Sequence, residues 1–154
     1  MLTAVSNSFF GYDYILCNEA GAALGRVKIN WGWGESGTIT LGGDTLEIKR
    51  DGLGPWQVRT GGKAVATIIK PSAFSRSFKI IFGGAQYGLE GRFWSSTFDC
   101  HVNSRHIGSL ERYGLFSRKM IVNLPDELPL TFQAIAVWVV LLMWRRAAAA
   151  AAAS

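Results

Sequence analysis

A chain of 154 residues, 49% hydrophobic and 18% charged, holds enough apolar material for one packed domain, and that balance excludes a disordered polymer. Eighteen Gly against four Pro, with nine Phe, six Trp and four Tyr, describes many turns and many half-buried strands. The net charge of +5 favours anionic partners without requiring one.

Cys17 and Cys100 are too few for a disulfide framework and stand at no metal-binding spacing, so they are read as two buried free thiols in a reducing compartment. No basic residue precedes Arg26, and the apolar runs before it, Phe9-Phe10 and Tyr14-Ile15-Leu16-Cys17, are short, so no secretory signal is expected. No Asn-x-Ser/Thr sequon occurs. The expectation is a cytoplasmic protein, with peripheral attachment to a membrane left open.

From residue 12 to 123 the chain is a series of short β-prone stretches punctuated by Gly, and residues 3–10 are a candidate strand before them. Tyr12–Asn18 and Leu24–Asn30 flank the turn Glu19-Ala20-Gly21-Ala22, and Thr38–Leu41 and Thr45–Arg50 flank Gly42-Gly43-Asp44. Gly61-Gly62 joins Trp56–Thr60 to Lys63–Lys70, and Gly83-Gly84 joins Ser77–Phe82 to Ala85–Leu89. Both are two-residue loops of the kind that suits a primed turn. Phe93–His101, Arg105–Glu111 and Phe116–Asn123 complete the run. These are about eleven strands, or twelve with the first, and their short connections predict an antiparallel meander.

Leu124-Pro125-Asp126-Glu127-Leu128-Pro129 then reads as a helix entrance, with acidic residues at the positive end of the dipole and Pro in the first turn. The uninterrupted apolar run Ala134 to Trp144 follows, then Arg145-Arg146 and seven alanines that should prolong the helix. A membrane span needs about 20 apolar residues, whereas this run rises only ~16 Å. Extending it back to Leu128 brings in Thr131 and Gln133. The prediction is a core helix, over about 129–150, wrapped by the strands. A span over 128–146 is the alternative.

The chain also matches itself at an offset of 42 residues. Lys63-Ala64-Val65-Ala66-Thr67-Ile68-Ile69-Lys70 lies over Arg105-His106-Ile107-Gly108-Ser109-Leu110-Glu111-Arg112, and Phe74-Ser75-Arg76 lies over Phe116-Ser117-Arg118. Phe78, Ile80 and Phe82 match Met120, Val122 and Leu124, which keeps the strand's period of two and predicts that Phe78, Ile80, Met120 and Val122 all face inward. A weaker third copy starts at Leu24-Gly25-Arg26-Val27.

Short strands ending in a hydrophobic C-terminal helix give the chain a layout that resembles the tubby C-terminal-like superfamily, which includes the phospholipid scramblases and the plant LURP-one-related proteins. The segment Leu124 to Leu130 followed by Gln133-Ala134 is similar to the one that introduces the scramblase helix, and Gly21 to Gly25 and the Phe-Ser-Arg loops fit the same style. The resemblance implies a mainly β fold, a closed antiparallel barrel of about twelve strands around a central hydrophobic C-terminal helix, in a single domain over residues 1–154 with strands within about 3–123. It also implies a non-enzymatic module for anionic phospholipid headgroups or phosphoinositides. The scramblases' proline-rich arm and cysteine-rich acylation segment have no counterpart here. Of their acidic stretch only Asp126 and Glu127 stand, and capping accounts for them without a metal. No residue of the tubby phosphoinositide site is carried over.

Other constellations point away from catalysis. Gly32-Trp33-Gly34-Glu35-Ser36-Gly37 has the dinucleotide spacing, but the strand-like Thr38-Ile39-Thr40-Leu41 follows where a helix is required. Cys100 and His101 are strand neighbours and point to opposite faces, and His106 falls on the Ala64 position of the repeat, which argues for packing. No enzyme, metal or cofactor is expected. The charge pattern is more informative. Residues 52–89 hold Arg59, Lys63, Lys70, Arg76 and Lys79 and no acidic residue, and residues 100–125 hold Arg105, Arg112, Arg118 and Lys119 against Glu111. Lys70, Arg76, Lys79, Arg112, Arg118 and Lys119 are therefore the candidate site for an anionic headgroup, provided that their loops open on one rim. The partner expected is an anionic membrane surface or phospholipid headgroup. Nucleic acid is disfavoured because Phe78, among these charges, has inward parity. A scramblase-like membrane protein remains the alternative to a soluble module, and no oligomeric state is legible.

Overall fold

Side chains of a strand alternate between its two faces, so a sheet closed on itself divides each strand into an interior and an exterior row. The structure, a computed structural model, describes residues 1–154 except 9, 10, 31, 33, 73–75, 93, 94, 115 and 116. Among the described residues twelve strands form: β1 (Leu2–Ser6), β2 (Asp13–Cys17), β3 (Ala23–Ile29), β4 (Gly37–Leu41), β5 (Asp44–Arg50), β6 (Trp56–Thr60), β7 (Lys63–Ile69), β8 (Ser77–Phe82), β9 (Ala85–Gly91), β10 (Phe98–Val102), β11 (Arg105–Arg112) and β12 (Lys119–Asn123). Each pairs antiparallel with the next, and β1 pairs with β12 with Leu2 opposite Val122, which closes the barrel. The mainly β, closed meander read from the sequence is the observed fold.

Three boundaries differ from expectation. β1 ends at Ser6, before Phe9-Phe10, which lie outside the described residues. β10 starts at Phe98, and Phe93 lies outside the described residues; just before the strand the Arg92 N–H donates to the Thr97 carbonyl at 2.9 Å. β12 starts at Lys119, and Phe116 lies outside the described residues. The Gly61-Gly62 and Gly83-Gly84 turns have positive φ at both residues (56° and 78°, 58° and 77°), and Asn103 and Ser104 adopt the same geometry at 51° and 62°. That is the primed turn whose twist matches the flanking strands.

α1 (Leu130–Ala153) runs through the interior. Ala134 to Leu142 and Trp144 are buried and Met143 half-buried, so the apolar run has the sheet on every side, as a helix without a polar face requires. By length and composition alone the helix would suffice to cross a membrane. Here the residues read as an alternative span serve as the barrel's core. Near the entry, Phe132 packs 4.2 Å from the Tyr87 ring centre and 5.7 Å from that of Phe82. Further along, Trp138 meets Trp56 edge-on at 6.4 Å and fills the space over Gly37, where a Cβ would lie 2.0 Å from the indole nitrogen. The alanines prolong the helix beyond the barrel, exposed to solvent. The cap departs from expectation. Pro129 is the N-cap and the first turn holds no acidic residue. Asp126 and Glu127 form the preceding turn, where Asp126 accepts from the Met1 amino group at 3.3 Å. Inside the helix Gln133 is satisfied by donating to the Leu128 carbonyl at 3.0 Å.

The internal repeat has a structural signature. The pairings β2–β3, β6–β7 and β10–β11 each slip by one residue, between Leu16/Cys17, Val58/Arg59 and Cys100/His101. The extra residues are Leu24, Val65 and Ile107, each followed by a small residue, Gly25, Ala66 or Gly108. A Cβ on Gly25 or Gly108 would stand 2.5 Å or 2.2 Å from a carbonyl oxygen of the next strand, which accounts for the small residue after the bulge. Phe78, Ile80, Met120 and Val122 all point inward. The barrel thus repeats every four strands, and the weak third copy at Leu24 is the third bulge.

Candidate functional site

In a meander the connections alternate between two rims. β12 delivers the chain to the rim of the tight turns, so α1 enters there and leaves through the other. The exit rim collects the connections 7–12, 30–36, 51–55, 70–76, 92–97 and 113–118 around Trp144, Arg145 and Arg146. The loops that carry Lys70, Arg76, Arg112 and Arg118 do open on one rim. Their sequence also carries Phe9, Phe10, Trp31, Trp33, Phe74, Phe93, Trp94 and Phe116, which lie outside the described residues.

On one side of the emerging helix, the Glu35 carboxylate accepts from Arg146 at 2.6 and 2.5 Å and from Arg50 at 2.9 Å. Trp56 lies beneath, its indole N–H donating to the Glu35 carbonyl at 2.9 Å and its ring centre 4.0 Å from the Arg50 guanidinium. Burial works to raise the Glu35 carboxyl, but the hydrogen bonds and charges of Arg146 and Arg50 outweigh it and hold it below the usual carboxylate range. Lys70 has its Nζ 5.0 Å from the Phe78 ring centre. Burial, and then the charge of Arg146, push its ammonium below its ordinary value while Glu35 pulls the other way. Arg145 donates to the Asn30 carbonyl at 3.3 Å.

On the other side, the half-buried Arg112 stacks its guanidinium 4.4 Å from the Trp144 ring centre, and the Trp144 indole N–H donates to the Ser96 carbonyl at 3.3 Å. Beside them lies a groove of about 620 Å³, walled on the polar side by Arg76, Ser95, Ser96 and Arg112 and on the helix side by Met143, Trp144 and two alanines.

The six residues singled out from the sequence divide by role. Lys70 and Arg112 flank the helix exit, as does Arg76. Arg76 is also a clasp, donating to the Arg92 and Ser95 carbonyls at 3.0 and 3.1 Å and so holding the neighbouring connection. Arg118, its counterpart in the repeat, does the same one third of the way round, donating to the Ser8 and Gly11 carbonyls at 3.1 and 2.5 Å. Burial raises the phenol of Tyr14, and Arg118 and then the charge of Arg112 act against that rise. Lys119 opens β12 with its Nζ 5.1 Å from the Tyr113 ring centre. Lys79 does not join them. It stands on the outer wall opposite Gly88, in a depression shared with Glu90 and His101.

Arg50, Ser95, Ser96, Trp144, Arg145 and Arg146 were not picked out from the sequence as site residues. Parity was the available signal, since an even meander sends a helix that follows its last strand out through the loop rim. The histidines also took other places. Cys100 is inward, its thiol pushed up to about 12 by burial, and His101 is outside. His106 is no packing residue. It is exposed and pairs through Nε2 with Asp99 Oδ1 at 3.0 Å, next to the Arg92–Asp99 ion pair at 2.7 Å. Cys17 is half-buried rather than buried.

No family model matches the chain, and no curated protein matches it. Among solved structures it is similar to the X-ray structure of a protein from Arabidopsis thaliana, AT5G01750, with a TM-score of 0.63 and 15% identity over 90% of this chain and 87% of that one. At that identity the likeness is one of fold.

Proposed function

We propose that this barrel is a non-enzymatic binding module that sets its exit rim on an anionic membrane surface and takes phosphate-bearing headgroups as ligands, as a divergent relative of the tubby-like proteins. The observation that carries the reading is the gathering of Lys70, Arg112, Arg145 and Arg146 around one helix end, where the hydrogen-bonded carboxylate, Glu35, is already shared by two arginines. Like charges brought together on one rim favour an anion from outside. Each such residue near an anionic leaflet contributes about 1 kcal/mol, fading within a Debye length, so a handful suffices without insertion of the core helix. The cytoplasmic leaflet, which carries the anionic lipids, is the surface proposed.

Flotation of the full chain on phosphatidylserine-containing vesicles tests this. Binding should fall steeply with salt and be lost in a Lys70→Glu/Arg112→Glu variant whose melting temperature shows it to be folded. No flotation at low salt, or equal flotation of parent and variant, overturns the reading. Tighter binding to an oligonucleotide than to the vesicles would move the rim to nucleic acid.

A further inference from the structure

The arginines of the exit rim are nearly all accounted for by acceptors within the protein. Arg50 and Arg146 share Glu35, Arg76 and Arg118 hold carbonyls of neighbouring connections, and Arg145 holds the Asn30 carbonyl. Arg112 is different. Its guanidinium is half-buried against Trp144, its Nε is shut away from solvent without a hydrogen-bond partner, and no carboxylate lines the groove it faces. A guanidinium carries five donors in a fixed fork, and withdrawing it from water without an acceptor is costly. The terminal nitrogens of Arg112, on a residue only half-buried, are the donors that an acceptor from outside the chain can reach.

The surroundings indicate which one. Arg76 brings a second positive charge to the groove while its own donors fix the Ser95 carbonyl, so it is a positioning residue. The Ser95 hydroxyl accepts from the Thr97 N–H at 3.0 Å, which leaves its proton free to be donated, and Ser96 stands beside it. A bidentate fork, a second cation and hydroxyl donors suit the several oxygens of a phosphate. The facing wall is made of Met143, Trp144 and exposed alanines of the emerging helix, and offers nothing to a second charged group. We infer that the groove between the Trp144 turn of the helix and Ser95-Ser96 is a subsite for one phosphate-bearing amphiphile, its phosphate on Arg112 and the serine hydroxyls and its apolar part along the helix. This rests on the membrane-surface reading and names the group that would be read there.

The test uses the full chain, with short-chain phosphatidic acid below its micelle concentration, inorganic phosphate, and phosphatidylserine vesicles as separate probes. The soluble lipid should bind the parent and bind Arg112→Gln about tenfold or more weakly. Inorganic phosphate should bind more weakly than the lipid, and flotation of Arg112→Gln should weaken only by the single charge it removes, about fivefold, and keep its salt sensitivity. In the parent, titration with the lipid should shift the Trp144 indole and the Ser95 and Ser96 amide resonances, a readout that stands even if the variant does not fold. Unchanged affinity in a folded Arg112→Gln, shifts confined to the outer wall around Lys79, or equal affinity for phosphate and lipid would overturn the subsite. A parent that floats on vesicles but takes no soluble lipid loses the subsite and keeps the surface reading. One that takes the lipid but does not float loses the surface reading.

Discussion

The two rims of this barrel are held by different kinds of force. At the entry rim most strands are joined by two-residue turns, and the structure there is local, since backbone twist and a pair of residues at positive φ suffice. At the exit rim the connections are five to seven residues long and are tied by side chains from far along the chain. Arg118 reaches back to Ser8 and Gly11, Arg146 reaches back to Glu35, and Arg76 reaches forward to Arg92 and Ser95. One rim is written into neighbouring residues, the other into contacts made only once the barrel has closed. Binding modules commonly keep their ligands at the second kind of end, because long loops on a rigid wall can converge side chains that a tight turn cannot.

The sharpest way to break the comparison is to give a side chain to one glycine at each rim. Gly37→Ala, near the exit, places a Cβ 2.0 Å from the Trp138 nitrogen and 2.6 Å from the Lys28 carbonyl oxygen. Overpacking against backbone leaves no room to relax, so a loss of about 3 kcal/mol or more is expected in urea unfolding. Pairing it with Trp138→Leu should recover only part, since the Lys28 carbonyl remains. Near-parental stability for Gly37→Ala would mean that the helix does not press on this wall.

Next in size is the carboxylate that ties α1 to the exit rim. Glu35→Gln removes charge-assisted hydrogen bonds from two arginines and should cost about 1–3 kcal/mol. The pH dependence has a definite sign. The folded carboxyl lies below its ordinary 4.5, so its contribution is complete above about that pH and is lost as pH falls through the folded value. The gap between parent and variant should therefore be full at neutral pH and close in acid. A gap that stays constant into acid would show that shape, not charge, was removed.

These contacts explain what could and could not be read in advance. The strands, the primed turns, the inward parity of Phe78 and Met120 and the threaded helix are periodic or local, and all were legible. The sharing of a rim by Lys70, Arg76, Arg112 and Arg118 stands in the sequence reading only as a condition, although in an even meander the parity of the connections decides it. What escaped was role. Arg76 and Arg118 look like ligand residues in the sequence because a basic residue at a loop carries the same letter whether it serves a carbonyl of its own chain or a phosphate. The asymmetry of Arg112, with no acceptor among the described residues, appears only when the helix brings Trp144 alongside it. Lys79 was misplaced for a simpler reason. It stands two residues inside β8, where the chain has already left the rim.

The clasps give a smaller effect. Arg118→Gln releases two backbone carbonyls and should cost about 1–2 kcal/mol, with faster hydrogen exchange at the Asn7 amide, which donates to the Asp13 carbonyl at 2.7 Å. Arg76→Gln should do the same at the Arg92 amide, while amides at the entry rim keep their protection in both variants. Exchange that rises equally at both rims would mean that the clasps serve the whole barrel and not their own connections.

The smallest effect is expected at the entry rim, and it closes the comparison with Gly37. Gly83 sits at φ 58° with nothing within 4 Å of an added Cβ, so a side chain there meets only the conformational cost of the left-handed region. Asn tolerates that region better than other residues, and Asn103 occupies it at 51° in the hairpin between β10 and β11. The variant also removes freedom from the unfolded chain, which offsets the strain. Gly83→Asn should therefore change stability by no more than about 0.5 kcal/mol in either direction, whereas Gly83→Val, β-branched and without a side-chain bond to its own backbone, should lose about 1–2 kcal/mol. If Asn and Val cost the same, the entry turn is held by something besides backbone conformation, and the division between a local rim and a long-range rim fails where it is simplest to test.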